Sequence, residues 1–548
     1  MLRVDPMAKV GEIPPDPTVE KKAGRPWQHL FSWHFIVLMA VIVFVGAIRW
    51  RLLDMPLERD EGEYAYAGQL ILQGIPPYQL AYNMKLPGTY AAYAAILAVF
   101  GQTSRGIHLG LLVVNTISII LLYVVAASLF DRLAGTIAGA GYALLSTHQG
   151  VFGFAAHATH FVVLTALIGL ILLLQAEATK RTTFFFWSGL AFGIAFLMKQ
   201  PGILLAAFAF LHLAVQCWPK NKWEWAPLAK KMGAFLGAGA LPFALTCALL
   251  YRAGVFQNFW FWTFSYARQY ATTLPLRAGW EGLKSNFSYI LLATQGLWAL
   301  ALIGLSAVFW NATVRRHALF VFGFLVFSCA AVCPGLYFRE HYFVLMMPAV
   351  AILIAVGVTS ATQLLDAKFT SRWPRVIPVL LFVAAWVFAI HRNADFYFKL
   401  TPAQACQFCY PGEPFLEAAS IAEYLRQHTA PTDTIMVFGS EPEIYFDAHR
   451  HSASGYIYTY SLMVDQAYWA AMQKQMTHEV EASRPAYVVF VDAWGSWNAR
   501  RGSPQAVALS SWMDQYIFTG FEETGRVELG DPESGYSPGE IRIFKRKG

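Results

Sequence analysis

The sequence predicts a polytopic α-helical membrane protein with a water-exposed α/β module at its C-terminus. Three observations carry this reading. Hydrophobic residues make up 56% of the 548-residue chain and charged residues only 14%, a composition too apolar for an ordinary soluble enzyme. Runs of about 20 mostly apolar residues, the length a helix needs to cross a bilayer, recur from Phe31 to Arg392. From Asn393 onward the pattern is mixed polar and apolar, with no spanning run. An aromatic share of 16% fits the Trp and Tyr belts that mark membrane interfaces. The expected organisation is a disordered cytoplasmic N-terminus (1–30), a membrane body (31–392) and an extracytoplasmic α/β domain (393–548).

Candidate spans begin near Phe31, Ile107, Leu133, His157, Phe184, Gly202, Lys231, Tyr289, His317, His341 and Pro374, about eleven in all. Phe31 to Trp50 is long for a signal-peptide core and reads as a retained anchor. Basic residues cluster in alternate loops: Lys180 and Arg181; Lys220, Lys222, Lys230 and Lys231; Arg315 and Arg316; Lys368, Arg372 and Arg375. The positive-inside bias makes that side cytoplasmic, together with the N-terminus, in a plasma (inner) membrane. It also accounts for the formal charge of +7. With no lysine-rich tail or arginine stripe, nucleic-acid binding is excluded. The opposite side receives the loops around Asp60, His157, Lys199, Arg268 and Arg339, and the C-terminal module.

The first outer loop, Arg51 to Gly106, holds two short helical patterns, Glu63 to Gln73 and Thr89 to Phe100. Both are too short and too polar-edged to span, so they are expected to lie in the membrane interface. A second outer loop, Gly254 to Ser288, is dense in aromatics and carries Arg268 and Tyr270; it reads as a lid over a lipid-facing cavity. In the C-terminal module, Phe415 to His428 and Tyr468 to Ala482 read as helices. Thr434 to Phe438 and Tyr487 to Val491 read as strands.

Chemistry concentrates on the outer side. Asp60, Glu61 and Glu63 put three carboxylates within four residues after the first span. A carboxylate beside a low-dielectric cavity is a candidate general base. Glu63 equally fits an acid favoured by the helix dipole. Lys85 runs against the positive-inside bias, and Lys199 sits between Phe196-Leu197-Met198 and Gly202-Ile203-Leu204 with Pro201 breaking the helix. Arg339 and His341, followed by Tyr342, make a candidate phosphate clamp, since guanidinium matches phosphate oxygens bidentately. His157 and His160, three apart, could share a metal or act as polar anchors. Of six cysteines, Cys217, Cys247, Cys329 and Cys333 read as buried thiols. Cys406 and Cys409 could form a local disulfide or, with His449 and His451, bind zinc.

Asp60-Glu61-Gly62-x-Tyr64, Gly74-x-Pro76-x-Tyr78 and Lys85-x-Pro87 resemble the first outer loop of the GT-C membrane glycosyltransferases. The closest group is the family-39-like one of protein mannosyltransferases and aminoarabinose transferases. Lys199-Gln200-Pro201 and Arg339-x-His341-Tyr342 with Pro348 sit where that group carries such residues. The resemblance covers roughly residues 31–392. It implies a polyprenyl-phosphate sugar as donor, inversion at the anomeric carbon, and a glycan, lipid or protein hydroxyl as acceptor. Asp60 would be the base, and Glu61 would orient the acceptor or hold a divalent metal. Lys85, Lys199, Arg339 and His341 would bind the departing phosphate. Many relatives carry a second carboxylate before the fourth span. Thr147 to His160 has none, so a metal would need a histidine beside Asp60 and Glu61. Two rival readings are a lipid or polysaccharide transporter and a non-catalytic assembly subunit.

Overall fold

The computed structural model describes residues 32–218, 225–371, 373–497, 502–529 and 539–548. The N-terminal segment and three of the orientation-setting residues, Lys220, Lys222 and Arg372, lie outside the described residues. The chain begins with α1 (Trp33–Arg51), α2 (Arg59–Leu72), α3 (Gly88–Phe100), α4 (Ser104–Leu129) and α5 (Arg132–Leu145). It continues through α6 (Ala158–Thr179), α7 (Thr182–Met198), α8 (Gly202–Gln216) and α9 (Trp225–Arg252). Then α10 (Phe256–Trp260), a π-helical turn (Phe261–Tyr266) and α11 (Ala267–Ala271) lead into the long α12 (Leu276–Trp310). The body closes with α13 (Ala312–Arg316), α14 (Ala318–Val332), α15 (Met347–Lys368) and α16 (Ile377–Arg392).

Every expected span start falls at or near a helix. Seven are long and apolar enough to cross a bilayer: α1, α4, α6, α9, α12, α15 and the segment Pro374–Arg392. The other four, α5, α7, α8 and α14, are shorter. Burial grades them: 72% of the apolar window of α15 is buried but only 17% of those of α9 and α16. So α15 is the hub, and α9 and α16 present apolar side chains outward, as lipid-facing helices do. Small residues set the tightest contact. A Cβ on Gly304 would collide with the Leu353 carbonyl, and one on Gly357 with the Leu300 carbonyl, so α12 and α15 meet backbone to backbone.

The C-terminal part contains α17 (Pro402–Cys409), α18 (Phe415–His428) and α19 (Glu443–Ala448) with β1 (Thr434–Phe438), β2 (His451–Ser452), β3 (Tyr487–Asp492), β4 (Phe521–Leu529) and β5 (Gly539–Arg546). The strands form one sheet in the order β2-β1-β3-β5-β4. β1 is parallel to β2 and β3, whereas β5 is antiparallel to both its neighbours. The strands expected at Thr434 and Tyr487 are the buried parallel pair, as their nearly continuous apolar runs predict.

One expectation fails. The helix read from Glu63 to Gln73 is not a surface helix with a face open to lipid headgroups: α2 is buried from Glu61 to Leu70, wedged between the body and the C-terminal part. Three of its polar residues find partners in the C-terminal part. Tyr66 Oη accepts the Ser452 N–H at 2.8 Å, Gln69 Nε2 donates to the Phe446 carbonyl at 3.3 Å, and Gln73 Oε1 meets His451 Nε2 at 2.7 Å. A helix whose polar side chains are satisfied by protein does not need the headgroup layer.

Candidate active site

Residues around the N-terminus of α2 line a cavity of about 670 Å³. The helix starts there because Glu58 and Glu61 form a capping box: the Glu58 carboxylate accepts the Glu61 N–H at 2.8 Å, and Glu61 reaches back to the Glu58 N–H. That start delivers Asp60 into the cavity. Lys85 Nζ donates to Asp60 Oδ1 at 2.6 Å and lies 3.0 Å from Glu63 Oε2, with the Tyr64 ring beneath it. Asn83 and Tyr90 donate to the same Glu63 carboxylate. Burial pushes the Asp60 carboxyl up, but the Lys85 ammonium, followed by His157, outweighs it and holds the group well below the usual carboxylate range. Burial dominates at Glu58 and Glu63, aided at Glu58 by Asp60 and Glu61, and both are raised. Of these three carboxylates, Asp60 is the one held ionised.

The free edge of that carboxylate faces two imidazoles. Asp60 Oδ2 lies 3.9 Å from His157 Nδ1 and 3.9 Å from His341 Nε2, and the two rings stack at 4.0 Å. His157 caps α6, and both its ring nitrogens are buried without a hydrogen-bond partner. One ligand atom from each of Asp60, His157 and His341 lies within 4.8 Å of the others, a one-oxygen, two-nitrogen set suited to a divalent transition ion. The orphaned nitrogens of His157 agree with this, because a buried polar atom without a partner is costly.

Basic residues line the same cavity. Lys199 ends α7 at the break made by Pro201, and its ammonium lies 4.0 Å from the centre of the Tyr342 ring. Gln200 Nε2 donates to the Met84 carbonyl at 2.7 Å, which ties this break to the first outer loop. Lys199 has no carboxylate partner among the described residues, and burial lowers its pKa to about 7. Arg339 lines the cavity beyond it, its guanidinium over the Tyr337 ring. Tyr337 in turn stacks on Tyr270 at 4.6 Å. The aromatic loop therefore does wall the cavity, through Trp262, Tyr266 and Tyr270. The C-terminal part closes the remaining side with Tyr410, Glu413, Phe415, Tyr458 and Tyr460.

The structure brings together Asp60, Lys85, Lys199, His157, Arg339, His341, Tyr270 and Tyr342. Three expected site residues are elsewhere. Glu61 is fully buried and faces away from the cavity: its Oε1 accepts the Ala156 N–H at 2.6 Å and meets His108 Nε2 at 3.2 Å. Consecutive helical residues point about 100° apart, and here that turn carries Glu61 to Ala156 and His108 while Asp60 lines the cavity. His160 is buried outside the cavity, and His341 takes its place beside His157. Arg268 is exposed and does not line the cavity, unlike Tyr270. All six cysteines are free thiols; Cys406 is buried and Cys409 lines the cavity. His449 and His451 bond Gln69 and Gln73 instead of making a zinc site. Sequence reasoning missed Glu58, though its spacing of three from Glu61 is a capping-box pattern. It also missed Glu413, Tyr458 and Tyr460, which carry no local signal and reach the site only through folding.

Apolar helices surround a cavity at their shared end, with an α/β part seated over it, and solved structures share this fold. The chain resembles ArnT from Cupriavidus metallidurans bound to undecaprenyl phosphate, with a TM-score of 0.58, 15% identity, 93% of this chain and 97% of that one covered. It also resembles the archaeal oligosaccharyltransferase AglB from Archaeoglobus fulgidus, in complex with an inhibitory peptide and a dolichol-phosphate. There the TM-score is 0.53 and the identity 12%, covering 92% of this chain and 74% of that one. Residues 85–251 match the family described as dolichyl-phosphate-mannose-protein mannosyltransferase. No curated protein matches by sequence.

Proposed function

We propose that this protein is an integral-membrane glycosyltransferase that moves a sugar from a polyprenyl phosphate to an acceptor hydroxyl on the extracytoplasmic side. The observation that carries the reading is an ionised Asp60 lining the same cavity as the basic residues Lys199 and Arg339. In the reaction the acceptor oxygen attacks the anomeric carbon from the face opposite the phosphate. The C–O bond to phosphate breaks with inversion, and the hydroxyl proton passes to Asp60. An aspartate this acidic is a weak base in the ground state. It suffices here, because the acceptor oxygen becomes strongly acidic once its bond to an oxocarbenium-like carbon has begun to form. The leaving phosphate needs charge stabilisation rather than a proton. Lys199 and Arg339 supply it, since neither has an acidic partner among the described residues. Lys85 lines the cavity, but two carboxylates occupy it; its role is to hold Asp60 ionised.

Asp60, His157 and His341 would hold a divalent metal, the donor set that takes the place of the expected Asp60, Glu61, His157 and His160. Such an ion supplies Lewis-acid stabilisation of oxygen charge. The membrane is the inner one, with the cavity and the α/β domain (393–548) outside. In support, Lys180 and Arg181, Arg315 and Arg316, and Lys368 and Arg375 sit at the helix ends opposite the cavity. The transporter reading would need ionisable groups midway along broken helices, whereas these gather at one end. Exchanging Asp60→Asn tests the proposal. Transfer of labelled sugar in vesicles should collapse while thermal stability and lipid binding persist; undiminished transfer refutes it.

A further inference from the structure

The C-terminal part does more than roof the cavity; it grips the residue next to Asp60. Arg59 Nε donates to the Ser440 carbonyl at 2.6 Å, and its Nη2 lies 2.7 Å from Glu413 Oε2 and 3.1 Å from Glu441 Oε1. The rings of Phe415 and Tyr460 flank the guanidinium. The main chain of the same residue is held as well, because Tyr458 Oη donates to the Arg59 carbonyl at 2.9 Å. All of these partners belong to one segment of the chain, 413–460, far from Arg59 in sequence.

The grip continues down the helix. Arg59, Gly62, Tyr66, Gln69 and Gln73 step by three and four residues, so they form one stripe along α2. Each meets the C-terminal part. Gly62 makes the closest approach: a Cβ there would lie 2.6 Å from the Glu443 N, so α19 packs directly on the α2 backbone. Asp60 and Glu63 stand on a different face, toward Lys85. Glu441 is fully buried and does not line the cavity. Its second oxygen is fixed by the Ser440 N–H and the Ser496 hydroxyl, each at 2.7 Å.

We infer that Arg59 is a positioning residue and that the Arg59–Glu413–Glu441 clamp sets where Asp60 stands, making the C-terminal part an integral component of the transferase site. The inference rests on the proposed function. Nη2 is shared between two carboxylates while Nε bonds the Ser440 carbonyl, so charge-assisted contacts on two sides of the guanidinium fix its orientation as well as its distance. A displacement of about 1 Å at the reacting group costs on the order of a hundredfold in rate.

The test uses four variants of the full-length chain: Glu441→Gln, Arg59→Lys, Arg59→Ala and Gly62→Ala. None removes a group assigned to donor or acceptor, and Glu441→Gln lies outside the cavity. Each should lower kcat at least tenfold while the KM for the lipid-linked donor stays within twofold. Arg59→Lys, which keeps one charge contact, should be milder than Arg59→Ala. The thermal midpoint and the amount of folded protein are measured alongside. Wild-type kcat in Glu441→Gln and Gly62→Ala overturns the inference, as does a loss of kcat that only follows the loss of folded protein. The Asp60→Asn control separates the two claims. If it is inactive and the clamp variants behave as wild type, only the clamp fails; if it remains active, the functional reading itself fails.

Discussion

Lys85 and Lys199 look alike in the sequence, two outer-side lysines against the positive-inside bias, yet opposite consequences are expected when each is exchanged for Met. Lys85 sits 2.6 Å from Asp60 and 3.0 Å from Glu63, with side chains 20%, 17% and 0% exposed. Removing it leaves buried carboxylates without compensation, which costs about 3–5 kcal/mol. The thermal midpoint should therefore fall by several degrees. Lys199 has no acidic partner among the described residues, and burial already disfavours its charge. Lys199→Met should leave the midpoint unchanged or raise it. What it loses is one charge-assisted contact to the donor phosphate, worth about 1.5–3 kcal/mol. Since about 1.4 kcal/mol is tenfold, the donor's kcat/KM should fall roughly ten- to a hundredfold. Thermal-shift measurements in detergent, paired with steady-state transfer of a labelled lipid-linked sugar, read both quantities. Equal destabilisation by the two exchanges, or normal donor kinetics in Lys199→Met, refutes the division of labour.

Three further outcomes follow. With its pKa lowered to about 7, Lys199 is protonated below that pH and neutral above it, so donor affinity should be full at low pH and decline as pH rises through 7. Lys199→Arg, which stays charged, should abolish that decline. Elemental analysis of the purified protein should find about one divalent transition ion per chain, lost in His341→Ala and retained in His160→Ala. Glu61→Gln should cost about 1–3 kcal/mol of stability, because the carboxylate holds the Ala156 N–H and His108. Its kcat at permissive temperature should remain close to that of the wild type.

The membrane body was legible because its signal is long-range and redundant. Apolar runs such as Met347 to Ser360 must be helices in lipid, and α15 is one. The parallel pair at Thr434 and Tyr487 was legible for a similar reason, as short continuous apolar runs rich in β-branched and aromatic residues. The β4–β5 pair was not, since Phe521–Leu529 alternates exposed charge with weakly buried residues and lies at the sheet edge. Residue type and loop position were enough to single out Asp60, Lys199, Arg339 and His341, which the fold brings to one cavity. The Asp60–Glu61 pairing misled because neighbours in sequence are not neighbours on a helix. The environment of α2 was misjudged for a different reason. Its Tyr66, Gln69 and Gln73 looked like interfacial polar residues until residues 440–460 supplied their partners.

The central claim is that a lipid phosphate seats against Lys199 and Arg339, across the cavity from Asp60. Native mass spectrometry of gently purified protein tests it most directly. Wild type and Asp60→Asn should each carry a polyprenyl-phosphate mass, and the double exchange Lys199→Met with Arg339→Met should not. No isoprenoid phosphate on the wild type, or equal amounts on the double variant, would contradict the account.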